Sequence, residues 1–250
     1  MSERSGDTVG SATSPGVHEA TAVAFIAAAN VVLNRTVRGP FAVPAGLAAG
    51  AIAVLLGARA GASLSEQGLG LESAERGVRV GLYAGLPIAL IVGLGAFLPP
   101  SRRFFRDVGI TQATRRKAAY EVFVRIPLAT SVGEELMFRS ALEGILARTR
   151  SPLRASLISA MLFGAWHILP TLDRKQSNRD LNPVQGRGAG RRAAVVVGTV
   201  GVTAAASVGL SWLRRYSGSV IAPVLVHYGI NAGGFGGSWL ASQREARRNR

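Results

Sequence analysis

The chain has 250 residues, 48% hydrophobic and 17% charged, and its 29 Lys and Arg against 14 Asp and Glu give a formal charge of +15. The charged share is below the roughly 25% usual in soluble domains, and the lack of cysteine excludes disulfides, thiolate metal sites and cysteine nucleophiles. So basic a balance fits nucleic acid in a soluble protein, but these cations lie between long apolar runs, where they meet anionic lipid and set orientation; no nucleic-acid partner is expected.

Residues 1–17 are polar and rich in Gly, Ser and Thr, and are predicted to form a disordered tail. A secretory leader is not expected, because Arg4 stands alone and the first apolar run begins only near Ala20. Crossing about 30 Å of hydrocarbon takes roughly 20 apolar residues. Seven stretches approach that length, at 19–34, 41–58, 78–98, 118–146, 153–171, 192–213 and 219–240. The predicted fold is therefore all-α, a polytopic transmembrane helical bundle over 18–240 with about seven spans, followed by a basic C-terminal tail at 241–250.

The fourth stretch differs from the others. It carries Glu121, Arg125, Glu134, Glu135, Arg139 and Glu143, too many charges for a helix facing lipid. Its apolar run at 122–132 speaks against a helix lying on the membrane surface and for a buried one, kinked at Pro127. Lys and Arg crowd the connections at 35–40, 100–117 and 172–192 and the end after 240. By the positive-inside rule the C-terminus is then cytoplasmic.

Ionisable groups inside spans are costly and mark functional sites or buried pairs. Three of the last four stretches hold them. The fourth has Glu134-Glu135-Leu-Met-Phe-Arg139, the fifth Phe163-Gly-Ala-Trp-His167, and the seventh His227-Tyr-Gly-Ile-Asn231. Glu135 and Arg139 are four apart and share a helix face, whereas Glu134 is turned about 100° away. Arginine can thus hold one carboxylate while the other meets a different environment, which makes Glu134 the candidate general base. His167 and His227 can orient water or bind a metal, and the Asn231 amide can donate to an oxyanion. A zinc ion held by Glu134, His167 and His227 also satisfies ligand preferences, and so does water activation without a metal.

Each motif alone is unspecific. Glu-Glu-x-x-x-Arg fits any solvated helix, and a lone histidine in a span fits packing. Together they are distinctive, because the chain has three histidines and two of them head or close these motifs. The ordered set of Glu-Glu-x-x-x-Arg, Phe-x-x-x-His and His-x-x-x-Asn on successive apolar helices resembles the CPBP family, the CAAX proteases and bacteriocin-processing proteins also called Abi. The likeness covers about 78–240, and Leu64-Ser-Glu-Gln-Gly-Leu-Gly resembles an element that precedes this core.

The resemblance implies an intramembrane endopeptidase acting on a peptide or membrane-anchored protein. It implies Glu134 and His167 activating water, His227 and Asn231 stabilising the oxyanion, and Glu135, Arg139 and Phe163 in support. Other intramembrane proteases fit poorly. There is no His-Glu-x-x-His and no Gly-x-Ser-x-Gly, and Asp107, Asp173 and Asp180 all lie between the apolar stretches. A non-catalytic immunity or scaffold protein and a proton-coupled transporter are the alternatives from other classes.

Overall fold

The computed structural model describes residues 14–174 and 189–248. Helix α1 spans Pro15–Thr36, α2 Ala42–Arg59 and α3 Ala74–Gly95. A continuous helical rod, α4, runs over 115–147. It is followed by α5 at Pro152–Trp166, α6 at Ile168–Arg174, α7 at Ala189–Ser217 and α8 at Ile221–Arg248. No strand occurs among the described residues, and the architecture is an all-α bundle.

Among the described residues, five segments are long and apolar enough to cross a membrane: Pro15–Thr36, Gly39–Arg59, Leu71–Gly95, Pro152–Leu172 and Ala193–Ser217. The chain is an integral membrane protein. The other two expected spans, within α4 and α8, are helical but do not reach that apolarity. Each carries buried polar residues that pair with protein, Glu135, Arg139 and Glu143 on α4 and His227 on α8, and so lacks a uniformly apolar surface.

The chain ends also differ from expectation. The first helix begins at Pro15, inside the segment expected to be a tail, because proline suits a first helical turn whose N–H has no partner anyway. The basic stretch from 241 continues α8 as far as Arg248. Of the expected tail and the basic loop at 172–192, residues 1–13 and 175–188 lie outside the described residues.

Prolines shape the two elements that lead to the site. In α4, Pro127 offers no N–H to the Phe123 carbonyl, and the helix widens to five-residue turns over Glu121–Val132. The expected kink is thus spread over a long wide stretch. In α5, helix formation stops at His167 and resumes at Ile168. Pro170 removes the donor that would reach the Trp166 carbonyl. The Asn30 side chain, from α1, supplies it instead, with Nδ2 donating to Trp166 O at 3.2 Å.

Helices α3 and α8 meet backbone to backbone. A Cβ placed on Gly233 would lie 2.4 Å from the Ala89 carbonyl oxygen, so glycine is required at this crossing. The sequence element at 64–70 has a structural role at the far end of α8. Gln67 is fully buried, and Val220 N donates to Gly68 O at 2.9 Å just before α8 begins.

Candidate active site

The site residues come from α4, α5 and α8, and their side chains meet inside the bundle. Glu135 and Arg139 are fully buried, with Arg139 NH1 3.2 Å from Glu135 Oε1. The same carboxylate oxygen accepts from His227 Nδ1 at 2.8 Å, which ties α4 to α8. A carboxylate can only accept, so Nδ1 carries the proton and the ring turns Nε2 towards Glu134.

Glu134 Oε2 lies 3.9 Å from His227 Nε2. That oxygen is buried and has no hydrogen-bond partner among the described residues. A buried carboxylate oxygen left unpaired is costly, and such groups concentrate where chemistry is done. The neighbouring glutamates therefore have different surroundings, as their 100° offset predicts. One is locked between arginine and histidine, and the other is left unpaired beside the outer ring nitrogen.

His167 caps the end of α5, with Nδ1 2.8 Å from the Phe163 carbonyl oxygen. A carbonyl cannot donate, so this nitrogen also carries a proton. The Phe163 ring joins the two histidines. Its centroid is 4.7 Å from that of His167 and 5.8 Å from that of His227. Phe138 extends the aromatic packing, edge-on to Phe163 and to Trp166. The Arg139 guanidinium lies 4.2 Å over the Phe163 ring.

Asn231 is placed one turn beyond His227 on α8 and is half-buried. The spacing puts both on one side of the helix, but no hydrogen bond joins Asn231 to the other site residues. Six of the seven expected residues are thus linked by direct contacts, and Asn231 stands next to them in sequence register.

Residues 117–233 match the family model of type II CAAX prenyl endopeptidase Rce1-like. This segment is similar to the CAAX proteases. No curated protein and no solved structure matched it. The matched segment contains all three motifs in order. The proteins that this model describes are endopeptidases.

Among the described residues, no group of three His, Cys, Asp or Glu side chains is close enough to hold a metal ion. Two contacts could not be read from sequence spacing. Ser207 Oγ accepts from Arg139 NH2 at 2.9 Å, and the Asn30 side chain holds the carbonyl next to His167. A clue to the first was the Ser207–Ser211 pair, spaced four apart like Arg139 and Glu143. The asparagine carried no such signal.

Proposed function

We propose that this protein hydrolyses a peptide bond with water activated by Glu134 and His167. The observation that carries this is the buried Glu134 Oε2, with no hydrogen-bond partner, 3.9 Å from His227 Nε2. That gap admits a water making a bond of about 2.8 Å to each atom. Glu134 takes the water's proton as oxygen attacks the scissile carbonyl carbon. The electron pair of the carbonyl moves to oxygen, and the Asn231 amide donates to it beside the His227 ring. The intermediate then collapses, the C–N bond breaks, and the proton held by Glu134 passes to the leaving amine.

His167 contributes from a fixed orientation: its Nδ1–H is committed to the Phe163 carbonyl, and the ring orients the attacking water. Glu135 and Arg139 form a charge-neutral support that holds the His227 ring. The substrate is a peptide or a membrane-anchored protein, and a prenylated CAAX peptide is the first probe. The excess of cations at 100–117 and after 240 supports a cytoplasmic C-terminus.

The test is cleavage of that peptide by the purified chain. Glu134→Ala, His167→Ala and His227→Ala are each expected to abolish cleavage with the protein still folded in the membrane. Asn231→Ala is expected to lose about 10²–10³-fold, as for a missing oxyanion donor. Near-normal cleavage by Glu134→Ala would falsify the mechanism.

A further inference from the structure

The Arg139 head is held from three directions. NH1 pairs with Glu135, the flat face rests on Phe163, and NH2 donates to Ser207 Oγ. Neither Nε nor NH1 makes a geometrically sound hydrogen bond among the described residues. The ion pair and the ring contact tolerate rotation of the guanidinium within its plane. The Ser207 bond is the directional contact that stops it.

Ser207 is fully buried on α7, a helix that contributes none of the residues assigned to the site. One turn further along, the Ser211 hydroxyl donates to Glu143. Two serines four apart on α7 therefore meet a cation and an anion four apart on α4, as two rungs of one ladder. What stands behind each rung differs. Behind Glu143 is Ser156 at 3.4 Å, which in turn meets Arg215. Behind Arg139 is Glu135, and behind Glu135 is His227 Nδ1.

We infer that Ser207 is a positioning residue for the proposed peptidase centre, acting through Arg139 and Glu135 on the His227 ring. This rests on the reading of that centre as catalytic. Taking away the hydroxyl leaves the helix shape and the buried charges in place. It frees the guanidinium to turn, so that Glu135 Oε1 is shared differently between Arg139 and His227. Misplacing a catalytic group by about 1 Å costs on the order of 10²-fold, and a loosened ring loses part of that.

The test compares Ser207→Ala, Ser207→Thr and Ser211→Ala in the full-length chain. Cleavage of a prenylated CAAX peptide is measured beside ¹⁵N NMR of the His227 ring. For Ser207→Ala we expect kcat to fall about tenfold with KM within about twofold, the pattern of lost transition-state rather than ground-state interaction. Ser207→Thr, which keeps a hydroxyl, restores most of the rate. Ser211→Ala stays within about twofold of the parent, because its rung does not lead to the histidine. The His227 Nδ1–H resonance shifts in Ser207→Ala and holds still in Ser211→Ala.

Three results overturn the inference: an unchanged rate and ring signal in Ser207→Ala, an equal loss in Ser211→Ala, or a loss confined to KM. If the parent chain cleaves nothing, the peptidase reading fails, and the ring signals alone decide whether Ser207 positions His227.

Discussion

His227 Nδ1 and Glu135 Oε1 are joined at 2.8 Å across 92 residues of sequence, and that same carboxylate oxygen faces Arg139 NH1 at 3.2 Å. One buried anion thus serves two partners on different helices. It neutralises the cation on its own helix and fixes both the tautomer and the direction of an imidazole on another. Because Glu135 is occupied in this way, the adjacent Glu134 is left as the carboxylate available for a substrate or water.

This division predicts opposite stability effects for two adjacent substitutions. Glu135→Gln leaves Arg139 buried without its counter-charge, which costs about 3–5 kcal/mol for a broken buried pair, and cleavage falls with it. Glu134→Gln replaces a carboxylate whose buried Oε2 has no hydrogen-bond partner among the described residues. Its thermal midpoint is expected to hold or rise while cleavage falls by about 10²–10⁴-fold, the range of a general base. Thermal unfolding in detergent micelles, run beside a cleavage assay, separates the two. Equal loss of midpoint in both variants would contradict the assignment.

The crossing of α3 and α8 predicts a contrast between two glycines on one helix. A side chain at Gly233 meets the Ala89 carbonyl oxygen, whereas a Cβ at Gly236 has nothing within 4 Å. Gly233→Val forces the backbones apart and displaces the helix that carries His227 and Asn231. Gly236→Ala is expected to change stability by no more than about 0.5 kcal/mol, and in the favourable direction if it acts through helix propensity. The measurement is the unfolding midpoint together with residual cleavage. Wild-type behaviour in Gly233→Val would mean that the helices do not meet there.

Much of the site was legible because charges in apolar runs are expensive, so Glu134, Glu135, Arg139, His167 and His227 stood out from their surroundings. The i,i+4 spacing also separated the two glutamates. What spacing cannot report is which helix faces which. The Glu135–His227 tie, the Arg139–Ser207 bond and the Asn30–Trp166 bond all join residues 68 to 136 positions apart. Serine and asparagine in a span also look like ordinary packing. Five of the seven expected spans are apolar enough to cross a membrane among the described residues, and periodicity reads α4 and α8 as helices without telling whether lipid or protein covers them.

Chelation tests the metal question directly. No three potential ligands converge among the described residues, and the proposed steps use the side chains of Glu134, His167, His227 and Asn231 alone. Dialysis of the purified protein against a strong chelator, followed by elemental analysis, is expected to leave the cleavage rate unchanged. Loss of activity on chelation, restored by one equivalent of zinc, would replace the water activation proposed above with a metal-assisted one.

The break in α5 at His167 depends on two residues far apart in sequence, and this gives the most demanding prediction. Pro170 deprives the Trp166 carbonyl of its helical donor, and Asn30 Nδ2 replaces that donor at 3.2 Å. Asn30→Leu keeps the approximate size but orphans the carbonyl, at a cost of about 1–3 kcal/mol. His167 then loses the geometry set by the break, and cleavage drops as well. In a Pro170→Ala background the backbone N–H returns, so Asn30→Leu is expected to cost markedly less there. A double-mutant cycle on the unfolding midpoint measures the difference, with a coupling of about 0.5–3 kcal/mol expected for residues sharing one partner. Strict additivity would show that Asn30 and Pro170 act independently, and that another cause ends the helix at His167.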